Sequence, residues 1–136
     1  MRDILFKAKR KDNGEWVEGS LIQSPYMGEV RSWISTPKDK TRLRAIATYY
    51  GDWRAVEVRT DTICQYTGLT DKNGNKIWEN DVVIVNGNYT GKVIWSELWT
   101  NYTVIGSNIN ISINNRWNDI YEVIGNIFDN PELIGE

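Results

Sequence analysis

Asp71, Glu79 and Asp81 come closest in type and spacing to a reaction centre in this chain. Paired carboxylates can hold a hard cation through oxygen, or divide acid and base roles between them. Glu79 and Asp81 stand two apart before a strand, and Asp71 sits at a hairpin. The set offers too few ligands for a cation loop and matches no defined spacing. Short acidic side chains at turns bond local amides instead, so Asp71 is assigned to its own turn backbone and Asp81 to a neighbouring N–H. The chain has no histidine. That removes the commonest general base, the commonest zinc ligand and every Ser–His or Cys–His nucleophile. Cys64 lacks an activating partner and reads as a small core residue in a reducing compartment. No glycine loop suited to phosphate is present. The expectation is a protein that is not an enzyme and carries no cofactor, with a carboxylate- or metal-dependent hydrolase as the outlying alternative.

Binding chemistry is better represented. Seven tryptophans and seven tyrosines are many for 136 residues. Large rings fill a small β core or form stacking and contact surfaces. Trp95 and Trp99 flank a loop with Leu98 between them, and Tyr102 follows, so this is the candidate partner-binding site. A second candidate is basic. Lys38, Lys40, Arg42 and Arg44 alternate, which on a strand puts four cations on one face. With Trp33, Tyr49 and Tyr50 they could bind single-stranded nucleic acid. A solvated edge strand whose lysines block further pairing explains the same pattern.

Net charge is −2, but residues 1–60 hold 12 basic and 8 acidic side chains and residues 61–136 hold 4 and 10. The sequence therefore suggests a basic, hairpin-led β subdomain over 1–60 and an acidic one over 61–136, or one compact unit. No apolar run reaches the roughly 18 residues of a membrane helix. The first residues lack the apolar stretch of a signal peptide, and the chain reads as cytosolic.

The elements that position these residues are short strands. Asn13-Gly14, Asn73-Gly74 and Asn86-Gly87 mark hairpins, with a two-residue type I′ turn expected at Asn73-Gly74. Ser24 to Gly28 reads as a turn. Alternating or apolar runs predict strands at 16–22, 29–35, 55–58, 82–85, 91–95, 102–105, 107–114 and 121–127. Asp129-Asn130-Pro131-Glu132 predicts one closing helical turn with Asp129 as N-cap. Gly91-Lys92-Val93 after Asp81-Val82-Val83 suggests the curl of a small SH3-like barrel. The fold class is mainly β: antiparallel strands, a small SH3-like barrel and one short C-terminal helical turn.

Three segments carry a family resemblance: Arg2 to Lys9 with Asn13 to Gly19, Gln65 to Gly74 continuing through Ile77 to Val83, and Glu122 to Ile134. In that order they resemble the YopX family of bacteriophage and prophage proteins. The resemblance implies a mainly β fold with an SH3-like barrel and a gene carried by a phage or prophage. It implies no activity, cofactor or catalytic residue. The expected function is a non-catalytic accessory module that binds a protein partner or itself, with nucleic acid as the alternative ligand and no membrane.

Overall fold

Short alternating runs between turn residues become short antiparallel strands. A computed structural model describes residues 4–36 and 55–134; these form eleven strands and three 3-10 turns, with no α-helix among the described residues. The chain divides into two units, Ile4–Gln65 and the part from Tyr66 onward.

In the first unit, β1 (Phe6–Lys9) pairs with the opening of β2 (Trp16–Tyr26), from Phe6↔Gly19 to Lys9↔Trp16. From Ser20 on, β2 pairs with β3 (Glu29–Ser35), and β3 with β4 (Ala55–Val58). The change of partner falls at Gly19, where a Cβ would collide with the Ser35 carbonyl oxygen; only glycine admits so close an approach. The strands curl until the two ends meet. Arg10 bridges Val58, the Lys11 N–H donates to the Glu57 carbonyl (3.0 Å), and the Arg59 N–H donates to that of Lys9 (2.8 Å). Ala8, Ile34 and Val58 are fully buried inside, packed by Phe6, Val17, Leu21, Val56 and Ile63. Beside them Cys64 is buried, and its thiol donates to the Thr62 carbonyl (3.3 Å).

The turn expected over Ser24 to Gly28 is present but narrower. β2 runs on through Pro25, and the hairpin turns at Met27-Gly28, both at positive φ. Tyr26↔Glu29 closes that two-residue turn as a hydrogen-bonded pair, so Pro25↔Val30 is a non-bonded one. The ring nitrogen of Pro25 thus points away from β3. β1 reaches only as far as Gly19, so no ladder bond is lost there.

In the second unit, β5 (Cys64–Thr70) pairs from Tyr66 on with β6 (Lys76–Trp78). A five-stranded sheet follows, in the order β10 (Ile109–Ser112), β9 (Asn101–Gly106), β8 (Tyr89–Ser96), β7 (Asp81–Val85), β11 (Tyr121–Asn126). Its inward face carries Val83, Val85, Val93, Val104 and Tyr121, all buried, with Ile77 and Ile113. Gly91 permits the curl expected of it: a Cβ there would lie 2.7 Å from Val104 Cγ1. The sheet remains open, since β10 and β11 stand at opposite ends with no pairing between them among the described residues. The SH3-like barrel of this half is therefore not closed, because the 3-10 turn Asn115–Ile120 carries the chain from β10 back to β7 rather than to β10's own edge.

The Asn-Gly pairs differ from one another. Asn86 and Gly87 both have positive φ, as a type I′ turn requires. At Asn73-Gly74 only the glycine does. The Asp71 and Asn75 backbones pair (N–H to carbonyl, 2.8 Å), and the Gly74 N–H donates to the Asp71 carbonyl (3.0 Å). This is a type I turn followed by a left-handed glycine, closing a three-residue loop. The closing helical turn is a 3-10 turn at Pro131–Ile134. Asn130, not Asp129, precedes it, and the Asn130 side chain accepts from the Asn126 N–H (3.3 Å) because the chain folds back on itself there.

Candidate functional site

Asp71 and Asp81 do structural work. Asp71 is buried in the second unit, where one carboxylate oxygen accepts from the Asn73 and Asn75 N–H groups (both 2.9 Å) and the other from Val123 N–H (2.9 Å). Burial alone raises its pKa, but these backbone bonds outweigh that and hold the carboxyl below its ordinary range. Asp71 thereby fixes both its own turn and the start of the β11 bulge after Val123. Buried Asp81 accepts from the Trp78 N–H (2.8 Å). Both carboxylates thus bond amides, as their positions at turns suggest.

Of the basic candidate, Lys38, Lys40, Arg42 and Arg44, with Tyr49 and Tyr50, lie outside the described residues. Trp33 is described. It sits half-buried on the outer face of β3, with the Arg31 guanidinium 5.3 Å from its ring centroid. Arg31 in turn forks onto Glu57 (2.9 and 2.7 Å), which also takes the Lys11 ammonium (3.1 Å). Those two cations lower the Glu57 pKa to about 2. One face of Trp33 is thus occupied by the chain's own neutralised arginine. That cluster offers a nucleic acid little positive charge.

The aromatic candidate is built at the far end of the β8–β9 hairpin. Side chains two apart on a strand share a face. The buried pair Val93↔Val104 is therefore followed outward, on the same face, by Trp95↔Tyr102. Tyr102 packs against the core beneath it. Trp95 meets it edge to face, with centroids 5.0 Å apart and planes at 73°, the favoured geometry for aromatic rings. Trp95 is still 42% exposed. The core stripe runs past the core's end, to a ring that its cross-strand neighbour Tyr102 steadies.

Beyond this pair, Glu97 to Thr100 form the tip. The Trp99 N–H donates to Ser96 Oγ (3.2 Å), and Thr100 takes positive φ with its hydroxyl on the Trp99 carbonyl (2.7 Å). These bonds hold a loop that presents Leu98 at 81% and Trp99 at 68% exposure. Sequence and structure agree in bringing Trp95, Trp99 and Tyr102 to one hairpin end. The tip offers large apolar area, with Glu97 as its charged side chain and no buried acid or base. Apolar area of this kind gains free energy when another surface covers it.

Sequence reasoning missed a second apolar tip, in the first unit. Met27 is 86% exposed at the β2–β3 turn, and Val30 follows it exposed. The turn itself was expected within Ser24 to Gly28; the length of β2 that carries Met27 outward was not, since Pro25 reads as a strand breaker. A cleft of about 420 Å³ also opens beside Gly91, Lys92, Ile105, Gly106, Leu133 and Ile134 in the second unit.

A mainly antiparallel β chain with an N-terminal hairpin, a looped β5–β6 hairpin and an open five-stranded sheet defines the structural class. The chain belongs to the YopX protein family, whose match spans residues 5–135. Its fold is similar to that of the crystal structure of protein EF1440 from Enterococcus faecalis, at a TM-score of 0.56 and 18% identity, covering 98% of this chain and 99% of that one. No curated protein matches the chain.

Proposed function

We propose that this protein is a phage- or prophage-encoded accessory module of the host cytoplasm that acts by binding a protein partner and carries out no chemistry of its own. The observation that supports this reading is the exposed cluster Trp95, Leu98 and Trp99, backed by Tyr102. A soluble domain rarely leaves two tryptophans and a leucine together in water without a use, and aromatic residues at the centre of an interface carry a disproportionate share of binding energy. The hydrogen bonds of the tip present these side chains in a set arrangement, which lowers the ordering cost of association.

The test is affinity capture of the tagged protein from phage-carrying host cells, with and without nuclease, using wild type and a Trp99→Ala variant. A discrete protein retained after nuclease and lost from the variant supports the reading. Partners that vanish with nuclease, or that Trp99→Ala retains in full, refute it in favour of a nucleic acid or of a different surface.

A further inference from the structure

Strand β10 ends the five-stranded sheet and, among the described residues, pairs only with β9. Its own bonds show which groups face outward. The Ile113 N–H donates to the Tyr102 carbonyl (3.0 Å), in the same register as Ile111↔Val104 and Ile109↔Gly106. Hydrogen-bonded and non-bonded pairs alternate along an antiparallel ladder. The backbone N–H and C=O of Asn110 and Ser112 therefore point away from β9, toward the open edge.

Natural edges of this kind are blunted by shortness, charge, proline, a bulge or a covering segment. This one is short, at four residues, but has no charge, proline or bulge. Residues 105–115 contain no charged residue and no proline, and the β9–β10 register is unbroken. Asn108, Asn110, Ser112 and Asn114 are exposed, while Ile109 and Ile111 lie half-buried on the core side.

We propose that β10 is a self-pairing edge, through which two copies of the chain join antiparallel into one continuous sheet. Placing Ile111 opposite itself on a two-fold axis sets Asn110 of each copy against Ser112 of the other. Those residues then exchange both of their outward bonds. The same axis sets Ile109 against Ile113, so apolar side chains extend the buried face and polar ones the outer face. The uncharged edge brings no like charges together, although residues 61–136 carry a net negative charge. A second copy always supplies this matching pattern, which is why it is the occupant assigned here. The proposal does not depend on the aromatic tip. The contact is small, so the dimer is weak and forms only as concentration rises.

Amide hydrogen exchange by NMR, run beside sedimentation from low-micromolar to near-millimolar protein, tests the inference. The Asn110 and Ser112 amides should exchange fast when dilute and become at least several-fold slower as dimer forms, whereas Ile111 and Ile113 stay protected throughout. Asn110→Pro removes an outward N–H without touching a bond to β9. It should abolish the dimer while the Ile111 and Ile113 amides remain protected, and Asn110→Ala should keep the dimer. If Asn110→Pro disturbs the fold, Asn110→Lys serves instead, and its dimer should weaken and return with added salt. A chain monomeric at every concentration would overturn the inference. So would a dimer that survives Asn110→Pro, or one lost only in Trp99→Ala. Concentration-independent protection of Asn110 and Ser112 in a monomer would overturn it too, by showing that another segment of the chain fills the edge.

Discussion

Replacing Asp71 with alanine should cost the second unit heavily, because one carboxylate serves three backbone N–H groups. Bonds to a charged acceptor are worth about 1.5–3 kcal/mol each, and a buried donor left without one costs about 1–3 kcal/mol. The Asn73 and Asn75 donors lie in an exposed turn where water replaces part of the loss, while that of Val123 is half-buried. The expected cost of Asp71→Ala is therefore about 3–5 kcal/mol, a large share of an ordinary domain's stability. Asp71→Asn keeps one oxygen acceptor and should cost less, about 1–3 kcal/mol. The carboxyl's folded pKa lies below its ordinary 3.8, so its contribution is complete above that value and is lost as pH falls below it. Urea unfolding of wild type and both variants, at neutral pH and in steps down to pH about 2, measures these quantities. The wild type should lose stability below about pH 4 more steeply than Asp71→Asn. A cost under about 1 kcal/mol for Asp71→Ala, or identical acid limbs for wild type and Asp71→Asn, would refute the assignment.

Three further outcomes follow from the same geometry. Trp99→Ala, at an exposed side chain, should leave unfolding stability within about 0.5 kcal/mol of wild type, so a binding defect in that variant reports the surface and not the fold. Glu57 has its pKa lowered from 4.5 to about 2 by hydrogen bonds from Arg31 and then Lys11, so the stability it adds is present above pH 4.5 and lost between there and pH 2; Glu57→Gln should flatten that part of the acid titration. Gly19→Ala drives a methyl into the Ser35 carbonyl and should destabilise the first unit by about 1–3 kcal/mol or more, read as a lowered urea midpoint.

Local chemistry was legible in the sequence, and partner geometry was not. Alternating runs such as Ile109 to Ile113 located strands within a residue or two, because period two is written in the residues themselves. The Asn-Gly pairs located turns, yet only Asn86-Gly87 has positive φ at both positions. Register decides the rest: the paired Asp71 and Asn75 leave a three-residue loop, in which Asn73 needs no left-handed backbone. Pro25 looked like a breaker, but proline is harmless on a flank with no partner, a fact known only once β1 is seen to stop pairing at Gly19. The Asp71 bond to its own turn could be read from residue type, whereas its reach to Val123 joins positions 52 apart that no pattern connects. The Trp95, Trp99 and Tyr102 grouping was readable because a hairpin brings near neighbours in sequence together. Exposure was not, since it depends on where the core beneath Tyr102 ends.

On the proposed function, the β8–β9 tip contacts a protein. The most direct measurement places a photoreactive phenylalanine analogue at position 98, in place of the 81%-exposed Leu98, with a second chain carrying it at Asn88, at the opposite end of β8. Irradiation in phage-carrying host cells should yield a discrete protein adduct from position 98, absent from position 88, resistant to nuclease and lost on adding Trp99→Ala. Equal labelling at both positions, adducts to nucleic acid, or no adduct at position 98 would contradict the account.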